Sequence, residues 1–279
     1  MNAGNLYIVS TPIGNLEDIT LRAIKTLEYV DIVVCEDTRV SKKLLNHLGI
    51  KNKRLVSYNN YNENEKTSYI ISLLEEGNNV ALISDAGTPL ISDPGFILVR
   101  ELIQKNIKIE AIGGISAPIV ALTLSGLPTN KFLFLGFLDK SSSKKKKLFE
   151  KYKNDDLTLI FFESPNRVQA TLQDILEVLG ENQEVVVARE LTKLYEEIKT
   201  DTVCELINYY ETKKPRGEMV VLLKPSLNTE YTLENIAELI KEHLSGDKST
   251  KEISKDIANI TGLSKNIVYD EVIKYKNQL

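Results

Sequence analysis

Residues 80–95 constrain the fold more than any other stretch: Val80-Ala81-Leu82-Ile83-Ser84-Asp85-Ala86-Gly87-Thr88-Pro89-Leu90-Ile91-Ser92-Asp93-Pro94-Gly95. Four consecutive apolar residues leave no polar face, the pattern of a strand covered on both sides in a parallel sheet. A Gly/Thr/Pro loop follows, and Asp93-Pro94 reads as an N-cap with proline in the first helical turn. Phe96, Val99, Leu102 and Ile103 then recur at helical spacing. A strand, a polar loop at its carboxyl end and a helix form the usual ligand-binding corner of an α/β sheet, although a plain βα turn has the same outline.

The unit repeats along the chain. Leu6–Val9 is a short apolar strand ending in Ser10-Thr11-Pro12-Ile13-Gly14-Asn15, and Ile19, Ala23, Ile24 and Leu27 mark an amphipathic helix. Residues 30–35 form a second strand that ends in Glu36-Asp37-Thr38-Arg39. Three ionisable groups within four residues, just past a buried strand, are poorly explained by packing. A helix with Leu44, Leu45 and Leu48 follows, closed by Gly49. A third strand at 55–58 runs into Asn59-Asn60-Tyr61-Asn62-Glu63, and a helix with Ile70, Ile71, Leu73 and Leu74 stops at Gly77. Residues 107–112 are the fifth strand, before Gly113-Gly114-Ile115-Ser116-Ala117-Pro118. Five strands with interposed helices predict an open parallel sheet. Neither G-x-G-x-x-G nor a Walker pattern occurs, which removes the main support for dinucleotide and P-loop readings.

A second unit begins near Phe132. Phe132–Phe137 leads into Lys140, Ser141-Ser142-Ser143 and Lys144-Lys145-Lys146-Lys147, a solvated loop or an anion-facing one. A strand at 157–162 ends in Glu163-Ser164-Pro165-Asn166-Arg167, where Ser164-Pro165 repeats the cap-plus-proline device ahead of Val168, Leu172, Ile175 and Leu179. A strand at 185–188 precedes Arg189-Glu190-Leu191-Thr192-Lys193, a helix spans 203–210, and Gly217-Glu218 opens a closing strand. The last fifty residues are helical. Leu233, Ile236, Leu239 and Ile240 share one face, and Ile253, Ile257 and Ile260 another, stopped by Gly262. Ser264 caps a third helix with Ile267, Val268, Val272 and Ile273. The joint at Thr261-Gly262-Leu263-Ser264 has helix-turn-helix spacing, and a packing hairpin has it too. The expected division is 1–118 and 119–226 for two α/β domains, with 227–279 as a C-terminal helical segment.

Composition narrows the chemistry. His47 and His243 are the only histidines, and Cys35 and Cys204 the only cysteines. A disulfide framework, a Cys/His zinc site and histidine acid/base catalysis are therefore poorly supplied, and no metal is expected. No apolar run is long enough for a bilayer and the N-terminus lacks a secretory pattern, so the chain reads as cytoplasmic. A net charge of −4 does not advertise a nucleic-acid binder, but local charge decides phosphate attraction.

Taken together, Thr11–Asn15 as quoted, Glu36-Asp37-Thr38-Arg39, the 84–95 loop, Phe162-Glu163-Ser164-Pro165, the 188–193 loop and Gly217-Glu218 carry a resemblance. The chain resembles the bacterial family that methylates the ribose 2′-oxygen of cytidine 1402 in 16S ribosomal RNA, within the tetrapyrrole-methylase fold. The resemblance implies S-adenosylmethionine in a cleft between the two α/β units, held by Pro12, Ser84, Asp85, Ala86, Thr88, Ser116, Ala117, Phe162, Ala188, Leu191, Gly217 and Met219. It also implies Glu36, Asp37, Arg39, Glu190 and Lys193 as the groups that orient the ribose and assist its deprotonation. The proton acceptor stays open between a carboxylate and a Lys193 of depressed pKa. The implied partner is the small ribosomal subunit or its RNA, without a membrane, and the fold allows a homodimer. Two departures stand out. Gly113-Gly114-Ile115-Ser116-Ala117 replaces the family's Pro-Gly-Pro/Ala-Ser-Ala, and the 59–63 loop lacks the histidine the family carries there. Tetrapyrrole C-methylation on the same fold and a non-catalytic ribosome-assembly role remain the alternatives.

Overall fold

The structure, a computed structural model, describes residues 3–225, 236–244, 248–261 and 263–276. Contacts divide the chain into one unit of residues 1–150 and 156–225, and a second of 151–155 and 226–279.

The first unit opens with β1 (Leu6–Val9), α1 (Leu21–Tyr29), β2 (Ile32–Cys35), α2 (Thr38–His47), β3 (Arg54–Ser57), α3 (Glu63–Glu75), β4 (Val80–Ile83), α4 (Phe96–Gln104) and β5 (Ile109–Ile112). Their strands pair in parallel in the order β3-β2-β4-β1-β5. β2 and β4 are buried along their whole length, as unbroken apolar runs in a parallel sheet must be. Alternation splits the core into two layers. Leu6, Val34 and Leu82 pack with Ile70, Leu74 and Leu98 on one face, and Val9, Val33 and Ile83 with Ala23, Leu27 and Leu45 on the other. β1 and β4 are neighbours although 74 residues separate Leu6 from its partner Val80. Their carboxyl ends therefore deliver two distant loops to one crevice, where open α/β sheets bind ligands.

One helix start differs from expectation. The N-cap of α4 is Gly95, not Asp93, and Pro94 lies before the helix. Gly95 N donates to Glu63 Oε1 at 3.0 Å, so the carboxylate at this helix start comes from α3. Asp93 is thereby free to face elsewhere.

The same unit continues through α5 (Ala117–Leu124), β6 (Phe132–Phe137), α6 (Ser142–Tyr152), β7 (Thr158–Glu163), α7 (Val168–Leu179), β8 (Glu184–Arg189), β9 (Glu197–Thr202), α8 (Val203–Thr212) and β10 (Met219–Leu223). The second sheet runs β6-β7-β10-β8-β9 and is mixed, with only β6 and β7 parallel. β9 has no counterpart in the sequence reading. Its residues Glu-Ile-Lys-Thr-Asp-Thr are nearly all polar, because it is an edge strand paired only with β8. Ser164-Pro165 opens a turn rather than capping α7: Ser164 O accepts from both Arg167 N and Val168 N, and the N-cap position falls to Arg167.

The lysine stretch is not a loop. Lys144 to Lys147 lie in α6, and Lys145 is buried, its Nζ 2.5 Å from the equally buried Asp174 of α7. Lys146 pairs with Glu177 at 2.5 Å and Lys144 with Asp139 at 2.8 Å, leaving Lys147 exposed. Helical spacing puts Lys145 and Phe149 on the buried face of α6 and leaves Lys144 and Lys147 exposed.

In the second unit α9 (Ala237–Leu244), α10 (Thr250–Thr261) and α11 (Lys265–Lys276) bury Ile236, Ile240, Ile253, Ile257, Val268 and Val272 together. Leu233 and Gly262, and the side chain of Ile260, lie outside the described residues. No helix among the described residues is long and apolar enough to cross a membrane.

Candidate functional site

Three strand-end loops of the first sheet are stitched together. Thr11 and Gly87 exchange backbone hydrogen bonds of 2.8 and 3.0 Å, and Thr11 Oγ1 donates to Ser84 O at 3.2 Å. Ser10 Oγ and Thr88 Oγ1 lie 3.0 Å apart, and Thr88 Oγ1 donates to Ile115 O at 3.2 Å. Beside this seam lies a cavity of about 410 Å³ closed on its other side by the ends of β7, β8 and β10. Its size falls within the roughly 300–1,000 Å³ of small-molecule sites. Its walls are mainly apolar, with Phe162, Ala188, Leu191 and Met219 from the second sheet against Asp85, Thr88 and Ser116 from the first. Bulk, apolar walls and a few convergent polar groups suit a nucleoside-sized cofactor.

Of the residues expected to hold a cofactor, Asp85, Ala86, Thr88, Ser116, Ala117, Phe162, Ala188, Leu191, Gly217 and Met219 line this cavity. Pro12 and Ser84 do not. Both are buried behind the wall, where Ser84 Oγ donates to the Ala86 and Gly87 carbonyls at 3.2 Å.

None of the five residues expected to act on the ribose lines the cavity, but two charged clusters adjoin it. In the first, Lys193 Nζ lies 2.9 Å from Glu190 Oε1 and 3.2 Å from Glu218 Oε2, and Glu218 is a cavity residue. Gly217 permits this arrangement. Its φ is +84°, and a Cβ there would collide with the Glu190 carboxylate, which accepts from Glu218 N at 3.0 Å. Glu190 and Thr192 are themselves left-handed, at φ 51° and 65°, and Thr192 Oγ1 accepts from Asn15 N at 3.0 Å. Strain of this kind persists where the surroundings over-determine it, commonly at functional sites. Burial alone would pull the Lys193 ammonium down, but the two carboxylates outweigh it and raise its pKa. Burial likewise acts to raise Glu190, and the Lys193 and Glu218 N–H donors reverse the sign. Lys193 is therefore a held cation, which corrects the depressed-pKa reading of its amine.

The second cluster is acidic. Asp37 N donates to Asp85 Oδ1 at 3.1 Å. The Asp37 carboxylate caps α2 through Arg39 N at 2.8 Å and meets the Arg39 guanidinium at 2.6 Å, and these hydrogen bonds hold its pKa at about 2. The Arg39 side chain is 86% exposed. Burial, then the charges of Asp85 and Asp37, push Glu36 up, and burial also raises Asp85. Asp93 lines the cavity and is pushed up to about 6, by burial first and then by Glu36. Sequence reasoning missed Asp93, since Asp-Pro before an apolar run is indistinguishable from a cap.

Behind the cavity, Glu163 is a wall residue whose side chain is fully buried. It accepts from Ser164 N at 2.8 Å, Arg167 Nε at 2.7 Å and Thr171 Oγ1 at 2.6 Å. Thr171 Oγ1 in turn accepts from Lys145 Nζ at 3.0 Å. This chain of buried hydrogen bonds anchors the wall to α6 and α7. Among the described residues no group of three or more His, Cys, Asp or Glu side chains is arranged to hold a metal.

With this geometry in hand, the relatives are informative. Residues 5–207 match the family of tetrapyrrole (corrin/porphyrin) methylases. The chain is 51% identical over 248 residues to the ribosomal RNA small subunit methyltransferase I of Rickettsia prowazekii, covering 89% of this chain and 88% of that one. It is 43% identical to the protein of the same name from Mesorhizobium japonicum, over 98% of this chain and 92% of that one. Among solved structures, a cobalt precorrin-4 methyltransferase superposes with a TM-score of 0.60 at 20% identity, over 81% of this chain and 96% of the other. At that identity the likeness shows the fold alone.

Proposed function

Because the chain belongs to the tetrapyrrole methylases, and within them to the group of the ribosomal RNA small subunit methyltransferases I, we propose that it transfers a methyl group from S-adenosylmethionine to the ribose 2′-oxygen of cytidine 1402 in 16S ribosomal RNA. The observation that carries this reading is the cavity where the loops after β1 and β4 meet the ends of β7, β8 and β10. On this reading the protein works in the cytoplasm on the small subunit or its RNA.

When bound, the cofactor supplies a methyl group on a sulfonium, already activated for displacement. Phe162, Ala188, Leu191 and Met219 would bury its apolar parts, and Asp85, Thr88 and Ser116 would hold its polar ones. What remains for the protein is to align a hydroxyl and receive its proton. Alignment contributes roughly 7–11 kcal/mol, against about 3–5 kcal/mol for a general base worth 10²–10⁴-fold. Positioning therefore dominates, and a chain without an available histidine can do this chemistry. Lys193, held protonated between Glu190 and Glu218, donates hydrogen bonds and orients. Among the carboxylates that line the cavity, Asp85 and Asp93 are raised by burial and are the proton acceptors of this reading, with the charge of Glu36 acting further on Asp93.

The test is transfer of an isotopically labelled methyl to 16S ribosomal RNA, free and assembled, with a chelator present and the product mapped by mass spectrometry. The expected result is one methyl on the ribose of cytidine 1402. Labelling of a porphyrinogen with none on RNA would assign the tetrapyrrole reaction instead. RNA binding with no transfer at all would leave an assembly role.

A further inference from the structure

An open groove of about 600 Å³ adjoins the cofactor cavity, lined by Phe137, Leu138, Asp139, Lys140, Ser164 and Arg167. Phe137 and Ser164 line both spaces, so whatever occupies the groove leads directly to the cavity.

Three side chains of the groove present groups that the fold leaves unused. The first is Phe137 itself. It is 61% exposed, although its ring packs at 5.2 Å against Phe162, a cavity wall. A β-bulge puts it there: Phe134 pairs with Ile160 but Phe137 with Phe162, so β6 carries an extra residue. Gly136 takes up that residue at φ +62°, a conformation L side chains rarely adopt. Bulges beside functional sites re-aim side chains, and this one turns an aromatic face to solvent.

The second is Arg167. Its Nε and Nη2 are fixed on Glu163 Oε1 at 2.7 and 2.6 Å, and Nη2 also donates to Leu138 O at 3.3 Å. Nη1 makes no hydrogen bond among the described residues, so a guanidinium already locked in place offers an unspent edge. The third is Lys140, exposed and likewise without a partner among the described residues. The one carboxylate in the groove, Asp139, is neutralised by Lys144 at 2.8 Å and by Ser141 N at 2.8 Å.

We propose that this groove binds a nucleotide flanking the methylated one in single-stranded RNA, its base stacked on Phe137 and its phosphate on Lys140 and the free edge of Arg167. An exposed aromatic beside cations is the general device for holding splayed RNA bases. The inference rests on the RNA-methylation reading above and deepens it by naming where the strand runs.

Equilibrium binding of a fluorescent single-stranded fragment of small-subunit RNA tests it, with cofactor affinity measured in parallel by calorimetry. Phe137→Leu keeps the apolar bulk but loses the π face. It should weaken RNA binding about 5- to 150-fold, the range of a lost base–aromatic stack, while Phe137→Tyr keeps it. Lys140→Ala, on the surface, should reduce the salt slope by about 0.7. Cofactor affinity should stay within about twofold in Lys140→Ala, since Lys140 lines the groove and not the cavity, and Phe137→Leu should weaken RNA binding more than cofactor binding. Unchanged RNA affinity and salt slope in Phe137→Leu and Lys140→Ala overturn the proposal, as does a parallel loss of cofactor and RNA affinity in Phe137→Leu. So does a wild-type protein that binds uroporphyrinogen in a Lys140-dependent way and no RNA. Because binding is read without turnover, a protein that binds RNA through Phe137 yet transfers no methyl sinks the function and keeps the groove. One that methylates RNA in both variants at unchanged affinity does the reverse.

Discussion

Asp93 shows how much one side chain depends on what surrounds it. Its carboxyl, pushed up to about 6 by burial and by Glu36, prefers to be neutral in the folded protein, against a usual 3.8. The folded state therefore binds the proton more tightly than the unfolded one, and this group stabilises the fold below about 3.8 and ceases to do so as pH rises through about 6. Asp93→Asn fixes the neutral form. It should raise the melting temperature at pH 8 and leave it nearly unchanged at pH 3.5, because the folded state of the wild type loses its protonation advantage between the two. Melts that shift equally at both pH values would mean that the carboxylate is not held out of water. Asp37, four strand-end residues of sequence pattern notwithstanding, behaves in the opposite way. It is a helix cap and the partner of Arg39, with its pKa held at about 2. That explains why charge appears at the end of β2 without any part in lining the cavity.

At the scale of elements, α6 shows what a run of like charge hides. Lys144 to Lys147 look equivalent in the sequence, yet Lys145 is 5% exposed beside Asp174 at 5%, and Lys147 is exposed. Breaking a buried pair by removing one partner costs about 3–5 kcal/mol, because the other charge is left in a dry site. Lys145→Met should lose about that much stability in urea titrations, with the Glu163 wall loosened through Thr171. Lys147→Ala should stay within about 0.5 kcal/mol. Equal effects from the two would return the whole stretch to a solvated surface. The mixed second sheet belongs to this scale too. β9 and its antiparallel pairing leave little pattern in the sequence, since an edge strand has no need of an apolar face.

For the whole molecule, every cavity residue lies within the first unit, at or before Val220. A chain ending at Pro225 should therefore keep its cofactor affinity by calorimetry. If residues 236–276 contribute to holding the ribosomal substrate, its Michaelis constant should rise, and a lost cofactor site would show that the cavity needs the helical unit to form. The sequence by itself determined the local grammar: which runs are strands, where helices alternate, and that Ser/Thr/Gly/Pro loops sit at strand ends. Burial on both faces and turn chemistry act over a few residues, so they are written in a few residues. It also determined most of the cavity wall, because Asp85, Thr88, Phe162, Leu191 and Gly217 belong to ordered motifs. Only the tertiary structure decided which loops meet. The pairing of β1 with β4 across 74 residues brings Thr11 to Gly87, and no local pattern encodes that choice of neighbour. It also decided the charge states, making Lys193 a held cation and Asp93 a protonatable wall, because a pKa is set by neighbours from other elements and by the water they exclude.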